Sequence, residues 1–275
     1  MQKTVAIIGC GSMGTAILSG MLHHGYKPEQ IRVTAKSKPS AEALATKHKV
    51  IAYSSDYQPN ANALAVEGAD LILLAVKPLY ITQVLDEIKD VLAESALVVS
   101  VAAGITTATM QKHVSGNPVI RAMPNTPALI GKGVTGIAKG TGVTQEQLDI
   151  AISLFATVGK TLVVAEEKID ALSTISGSGP AYVFFFIEEF IKAAISHGFS
   201  YDEAYLMVTE TFYGASSLIV KQHGDPAELR RQVTSPNGTT MKAIATLEDG
   251  KLEELLFSAT SAALARAKEI AQEMI

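Results

Sequence analysis

Near its amino terminus the chain reads Val5-Ala6-Ile7-Ile8-Gly9-Cys10-Gly11-Ser12-Met13-Gly14. Four apolar residues in a row predict a short strand that is buried on both faces. Residues 15–23 follow with a helical pattern of apolar positions. A strand, a G-x-G-x-x-G turn and a helix in this order are typical of the unit that binds a nicotinamide dinucleotide.

The glycine turn meets three separate needs of a dinucleotide site. Gly9 permits the tight turn, Gly11 lets the backbone approach the pyrophosphate, and Gly14 lets the helix pack on the strand. The N–H groups at the start of the helix face the phosphates. The alternative is a glycine-rich turn without a ligand, which its place after the first strand disfavours. We therefore predict cofactor binding at Gly9, Cys10, Gly11, Ser12, Met13 and Gly14.

Two kinds of sequence pattern divide the chain near residue 165. Before it, apolar runs lie at residues 5–8, 31–35, 71–76, 97–101, 119–122, 134–138 and 162–164. Several are apolar at consecutive positions, which predicts a parallel sheet covered by helices. After it, helical periods lie at residues 181–197, 201–222, 227–233, 239–247 and 252–274. We predict an α/β Rossmann-type doubly wound sheet in residues 1–165 and an all-α domain for oligomerisation and substrate binding in residues 166–275.

Composition excludes several classes of protein. The formal net charge of −4 and the pI near 5.9 argue against nucleic-acid binding. The one cysteine, Cys10, excludes an intrachain disulfide and suits a reducing compartment, so we expect a cytoplasmic protein. The histidines show no metal-ligand spacing, so no metal is expected. The most apolar stretch, residues 181–195, is shorter than a bilayer span and carries charges, so no membrane association is expected.

That apolar stretch, residues 181–195, instead predicts a helix that is apolar around most of its circumference. A domain of about 110 residues can hardly bury such a helix alone. We therefore expect a homo-oligomer in which this helix lies inside the subunit interface.

The end of the second strand bears on the choice of cofactor. NAD enzymes usually carry an acidic residue there, which binds the ribose 2′-hydroxyl. This chain instead reads Ala35-Lys36-Ser37-Lys38-Pro39-Ser40, and its lysines and serines suit a 2′-phosphate. We predict NADP(H) as the preferred cofactor and NAD(H) as the second, with Lys36, Ser37 and Lys38 in the site. The alternative is that the lysines are a solvated surface pair.

Two further loops follow apolar strands, where doubly wound sheets bind their ligands. They are predicted to add Ala75, Val76, Lys77, Pro78, Ala102, Ala103 and Gly104 to the cofactor site. For Lys77 an ordinary strand-end charge is an equal alternative. Arg121 either attracts an anionic substrate or pairs with an acidic neighbour.

Three later motifs are those of one family: Val119-Ile120-Arg121-Ala122-Met123-Pro124-Asn125-Thr126-Pro127, Ser176-Gly177-Ser178-Gly179-Pro180-Ala181-Tyr182, and Val233-Thr234-Ser235-Pro236-Asn237-Gly238-Thr239-Thr240. With the glycine turn, they make the chain resemble a Δ1-pyrroline-5-carboxylate reductase over essentially its whole length. The resemblance implies NAD(P)H-dependent reduction of a small cyclic imine to L-proline. It also implies homodimers that intertwine through the helical domain and often assemble into decamers.

The resemblance also assigns residues. Asn62 matches an asparagine near the adenosine ribose, and the substrate loop comprises Ser235, Gly238, Thr239 and Thr240. Asn237 departs from the family, which usually has glycine there. Because asparagine tolerates positive φ better than other residues with a side chain, we expect the turn to survive.

The chemistry of the substrate loop agrees with this assignment. A turn that opens a helix presents N–H groups to an anion, here the substrate carboxylate. Thr240 is then the predicted catalytic residue, hydrogen-bonded to the imine nitrogen, and the reaction depends mostly on positioning and desolvation. The alternative is a plain helix N-cap. The run Ser176-Gly177-Ser178-Gly179-Pro180 is similarly open to a plain helix start.

Two other functions remain as alternatives. A β-hydroxyacid dehydrogenase shares the amino-terminal motif, but that chemistry needs a lysine base on a helix after a glycine-rich stretch, and this chain lacks the lysine and asparagine pair there. A non-catalytic NADP-sensing protein would use the same fold but would not need the substrate loop.

Overall fold

A computed structural model describes residues 3–273 of the chain. It contains a sheet whose strands are β1 Val5–Ile8, β2 Ile31–Ala35, β3 Ile51–Ser54, β4 Leu71–Leu74, β5 Leu97–Ser100, β6 Val119–Met123, β7 Gly133–Lys139 and β8 Gly159–Val163. The helices are α1 Ser12–His23, α2 Lys38–His48, α3 Ala61–Val66, α4 Ile81–Ile88, α5 Thr107–Gln111, α6 Gln145–Ala156, α7 Ile169–Leu172, α8 Gly179–Ser196, α9 Tyr201–Gln222, α10 Pro226–Gln232, α11 Thr239–Asp249 and α12 Leu252–Glu273. Met274, the predicted end of the last helix, lies outside the described residues.

The strand order in the sheet is β3-β2-β1-β4-β5-β6-β7-β8. The chain therefore reverses its direction of winding between β1 and β4, which confirms the doubly wound fold and places the ligand crevice at the carboxyl ends of these strands. Strands β1 to β6 are parallel, whereas β7 is antiparallel to β6 and β8 is parallel to β7. The predicted parallel sheet is confirmed for β1 to β6, and the reversed direction of β7 and β8 was not predicted.

Side chains from both faces of the sheet are buried. Ile7, Leu73 and Val99 belong to the core on one face, and Ile8 and Ile72 belong to the core on the other. Each such side chain contributes about 1.5–3 kcal/mol through burial. This two-sided burial is why the strands read as continuous apolar runs instead of alternating ones.

Strand β3 was not predicted, although a short apolar run, Val50-Ile51-Ala52-Tyr53, leads into and through it. It lies at the edge of the sheet, and Ile51 at its start is 46% exposed while Ser54 at its end is buried. An edge strand has one neighbour and less cover, so its pattern differs from that of the central strands.

The chain forms two compact units. One comprises Met1–Ser178 with Leu264–Ile275, apart from the undescribed terminal residues 1–2 and 274–275, and the other comprises Gly179–Ala263. Residues 166–178 are thus compact with the sheet although they are helical. The predicted division into residues 1–165 and 166–275 follows the change in secondary structure, and it stays a prediction.

In the helical unit, α8 packs on α9 through a small core of Ile191, Ala204 and Val208. Elsewhere on α8, large apolar side chains are uncovered: Phe184 is 64% exposed and Phe185 is 58% exposed. A large exposed apolar surface is typical of a face that another protein covers. Among residues 3–273, no helix combines the length and the apolar character that crossing a membrane requires.

Candidate active site

The glycine turn between β1 and α1 has the geometry that its sequence predicts. Gly9 has φ +79°, and a Cβ there would lie 2.4 Å from Val76 Cγ1 and 3.0 Å from the Val76 nitrogen. At Gly14 a Cβ would contact Ile7 Cγ2 at 3.3 Å. At Gly11 the nearest atom is the Gly9 oxygen, at 3.9 Å. Gly9 and Gly14 thus allow close packing, while Gly11 keeps a space open outside the turn.

Free N–H groups border that open space. Gly11 is the N-cap of α1 and provides no side-chain cap. Within residues 3–273 the structure gives no hydrogen-bond partner to the N–H groups of Ser12, Met13 and Gly14. The first turn of α1 also has no acidic residue. Three free N–H groups at the positive end of a helix fit a pyrophosphate.

Thr34 in β2 supports the turn, and the sequence analysis did not identify it. Its hydroxyl accepts the Gly9 N–H at 3.0 Å, and its carbonyl accepts the Cys10 N–H at 2.6 Å. Thr34 is buried. One residue of the neighbouring strand therefore fixes two successive residues of the turn.

Cys10 contributes backbone and no reactive thiol. Burial raises the pKa of its thiol to about 11, against a smaller lowering by the Thr15 hydroxyl. The side chain is therefore neutral at physiological pH and adds no negative charge beside the N–H groups that are predicted to bind the pyrophosphate.

The loop after β2 gathers the residues predicted to select the cofactor. Ser37 is the N-cap of α2, and its hydroxyl lies 2.9 Å from the Ser40 hydroxyl. The Lys38 ammonium lies 4.7 Å from the centre of the Tyr57 ring, a contact that the sequence analysis missed. Lys36 is exposed, and its carbonyl accepts hydrogen bonds from the Asp56 N–H and the Ser54 hydroxyl. Exposed cations and hydroxyls thus lie together without a carboxylate in the loop itself.

The loops after β4 and β5 reach the same edge of the sheet. The Ala75 N–H donates to the Ile8 carbonyl at 2.8 Å, next to the glycine turn. The Ala102 N–H donates to the buried Ser100 hydroxyl at 3.2 Å. Strands β2, β1, β4 and β5 are consecutive neighbours in the sheet, so the loops that follow them share one edge. These loops contain, in the same order, Lys36 to Lys38, Gly9 to Gly14, Ala75 to Pro78 and Ala102 to Gly104.

Asn62 lies in α3 and not in one of these loops. It is 9% exposed near the start of α3, and its amide donates to a Glu87 carboxylate oxygen at 2.8 Å. This bond uses one of the two N–H groups of the side-chain amide. The cofactor role of Asn62 stays a prediction.

The predicted substrate loop lies in the helical unit. The Gly238 N–H donates to the Ser235 carbonyl at 3.1 Å, and Asn237 has φ +58°. Pro236 followed by a residue with positive φ is typical of a type II turn. The expectation that asparagine keeps the turn is therefore confirmed.

The turn opens α11 with another set of free N–H groups. Gly238 is the N-cap, no side chain caps the helix, and its first turn has no acidic residue. The plain N-cap alternative is therefore wrong for Ser235. In the described part of the chain, the Thr240 hydroxyl and the N–H groups of Thr239 and Thr240 have no hydrogen-bond partner. This arrangement suits a carboxylate at the N–H groups and a polar atom at the hydroxyl.

The motifs around Arg121 and Ser176 hold the sheet to the segment that leads into α8. Arg121 is buried and lies 2.6 Å from an Asp170 oxygen, so it pairs with an acidic neighbour. The Asn125 amide donates to the Ser176 carbonyl at 2.9 Å and accepts from the Val134 N–H. The segment Ser173–Gly177 is a π-helical turn that continues into α8. Pro180 is the second residue of α8, so it lies at a helix start as the alternative expects, directly after the π-helical turn.

Among residues 3–273, no group of His, Cys, Asp and Glu side chains is arranged so that it could hold a metal ion.

Comparison with known proteins covers both halves of the chain. The family model for pyrroline-5-carboxylate reductase dimerisation matches residues 166–270, and the one for NADP oxidoreductase, coenzyme F420-dependent, matches residues 4–104. The pyrroline-5-carboxylate reductase of Corynebacterium melassecola is 38% identical over 98% of this chain and 99% of its own.

Solved structures give the same result. The pyrroline-5-carboxylate reductase of Coxiella burnetii has a TM-score of 0.92 and 36% identity, covering 98% of this chain and 99% of that one. The pyrroline carboxylate reductase of Plasmodium falciparum with NADP bound has a TM-score of 0.85 and 27% identity, covering 98% of each chain. The match to the dimerisation model indicates that this chain self-associates.

Proposed function

Because this chain belongs to the pyrroline-5-carboxylate reductase family, we propose how its own residues carry out the reaction of that family. The chain reduces Δ1-pyrroline-5-carboxylate to L-proline by hydride transfer from NAD(P)H, the last step of proline biosynthesis. The observation that carries this function is the similarity over 98% of the chain, which includes the glycine turn and the substrate loop alike. The test is proline formation from Δ1-pyrroline-5-carboxylate with NADPH.

The glycine turn and the neighbouring loops would hold the cofactor. The free N–H groups of Ser12, Met13 and Gly14 bind the pyrophosphate, and the space outside Gly11 admits it. Ala75 to Pro78 and Ala102 to Gly104 line the same edge of the sheet. When bound, NADPH supplies the hydride that the reduction needs.

The substrate loop would hold the imine. The carboxylate of the substrate binds the N–H groups at the start of α11. The Thr240 hydroxyl donates to the ring nitrogen of the substrate and orients the imine carbon. The imine is protonated on arrival, or receives its proton through Thr240 and water. Positioning and removal of water therefore account for most of the catalysis.

Lys38 would distinguish NADPH from NADH. Replacing it with alanine removes a cation from the loop after β2, so kcat/KM for NADPH should fall about tenfold, as expected for one charge-assisted hydrogen bond. The kcat/KM for NADH should change less than about twofold, because NADH has no 2′-phosphate. Steady-state kinetics with both cofactors measure the two values.

Lys47→Ala is the matched control, because Lys47 is an exposed lysine in the last turn of the same helix, α2. It should leave both cofactors unaffected. An equal loss for NADPH and NADH in Lys38→Ala would show that Lys38 does not contact the 2′-phosphate.

The alternatives have less support. A β-hydroxyacid dehydrogenase needs a free lysine base. In α8 the lysine that follows the glycine-rich stretch is Lys192, which is paired at 2.7 Å with Glu188 and with Glu189. A non-catalytic NADP-sensing protein leaves the free hydroxyl of Thr240 unexplained.

For assembly, we propose a homodimer formed through the helical unit, with further assembly into decamers. Phe184 and Phe185 on α8 are exposed, and this supports their burial against a second copy of the chain. The single buried cysteine suits a reducing compartment, and the cytoplasm is the proposed location.

A further inference from the structure

Glu166 and Thr107 make a contact that the proposed mechanism does not use. The two residues are 59 positions apart. One Glu166 carboxylate oxygen accepts the Thr107 N–H at 2.6 Å, and the other accepts the Thr107 hydroxyl at 2.6 Å. Both oxygens of one carboxylate thus bind a single residue. Thr107 is 4% exposed and the Glu166 side chain is 26% exposed, so the contact is partly buried, and its charged acceptor makes both hydrogen bonds strong.

Thr107 ends the loop that is proposed to touch the cofactor. This loop leaves β5 at Ser100, whose hydroxyl accepts the Ala102 N–H, and it reaches Thr107 at the first residue of α5. Between these two anchors, Ala103 is exposed and Gly104 has φ +76°. With both ends fixed and Gly104 and Ile105 buried, this short loop has little freedom to change its path around the exposed Ala103.

Arg121 helps to place Glu166. Its guanidinium is buried, binds Asp170 at 2.6 Å and lies 4.0 Å from a Glu166 oxygen. Arg121 is also the register partner of Ser100 across β5 and β6. Arg121, whose charge orients Glu166, therefore lies beside Ser100, the end of β5 from which the loop starts.

From these contacts we propose that Glu166 is a positioning residue for the dinucleotide. Through Thr107 it holds the loop from Ala102 to Gly104 in the conformation that accepts the cofactor. This proposal rests on the proposed cofactor site, and it gives a role to a residue that touches neither cofactor nor substrate.

The test is the affinity of the purified full-length protein for NADPH, measured by fluorescence titration without substrate. Glu166→Gln should weaken binding about tenfold, because the amide nitrogen cannot accept the Thr107 hydroxyl proton and the remaining hydrogen bonds lose the carboxylate charge. Thr107→Val, which loses the hydroxyl but keeps the shape, should weaken binding by a similar factor. Thr107→Ser keeps the hydroxyl and should restore binding to within about twofold. For all three variants kcat at saturating NADPH should stay within about twofold, since the loop affects binding and not the substrate.

Glu167→Gln is the matched control, because Glu167 is the exposed neighbour of Glu166 and loses the same charge. It should bind NADPH like the wild type. Wild-type affinity in both Glu166→Gln and Thr107→Val would overturn the proposal, as would an equal loss in Glu167→Gln. Since binding is measured without substrate, a wild-type protein that binds NADPH but forms no proline would refute the proposed function and leave the role of Glu166 to be decided by the titration.

Discussion

Thr240→Ala is expected to lower kcat by about 100-fold or more while the affinity for NADPH stays within about twofold. The hydroxyl of Thr240 has no partner in the described part of the chain and lies beside free N–H groups at the start of α11. Its removal deletes the proposed hydrogen bond to the imine nitrogen, which orients the carbon that receives the hydride. Steady-state kinetics with saturating NADPH and substrate measure kcat, and a fluorescence titration measures the affinity.

Two variants of the same loop serve as controls for Thr240→Ala. Thr240→Ser keeps the hydroxyl and should retain most of the activity. Thr239→Ala removes the neighbouring hydroxyl but keeps the backbone N–H that is proposed to bind the carboxylate, so it should affect kcat far less. A near-normal kcat in Thr240→Ala would refute the catalytic role of this residue.

Gly11→Ala is expected to weaken NADPH binding about 100-fold while the protein stays folded, a loss equal to about two charge-assisted hydrogen bonds. A Cβ at Gly11 would have no heavy atom within 3.9 Å, so the protein itself can accommodate it. The methyl group would instead occupy the space through which the pyrophosphate reaches the free N–H groups. Thermal unfolding should change Tm by no more than about 3 °C, the effect of a less favourable N-cap.

Gly9→Ala provides the contrast, because there the added methyl group meets the protein. It would lie 2.4 Å from Val76 Cγ1, at a backbone φ of +79° that disfavours alanine. Overpacking and strain together cost about 2–5 kcal/mol of stability. The Tm of Gly9→Ala should therefore lie well below the Tm of Gly11→Ala. If Gly11→Ala bound NADPH like the wild type, or had a Tm as low as that of Gly9→Ala, the proposed pyrophosphate site at the glycine turn would be contradicted.

The sequence predicted those features that depend on neighbouring residues. The glycine motif predicts a turn whose shape depends on the lack of side chains at Gly9, Gly11 and Gly14. In the structure each of these glycines has the packing expected of it. The positive φ at Asn237 was similarly predictable, because it depends on the conformational preference of one residue.

Features that depend on distant partners were missed. Thr34 and Glu166 act on residues 25 and 59 positions away, and no local pattern reveals such contacts. The antiparallel direction of β7 and the π-helical turn Ser173–Gly177 were missed because an apolar run or a glycine-rich run is compatible with several geometries. Edge strand β3 was missed although Val50 to Tyr53 are apolar, because so short a run does not by itself distinguish a strand from the end of a helix.

The central claim is that this chain reduces Δ1-pyrroline-5-carboxylate with a nicotinamide cofactor. The most direct measurement follows the loss of NADPH absorbance on addition of Δ1-pyrroline-5-carboxylate and quantifies the proline formed. We predict one proline for each NADPH oxidised, with a higher kcat/KM for NADPH than for NADH. Failure to form proline with either cofactor at any pH would contradict the claim and favour a non-catalytic dinucleotide-binding protein.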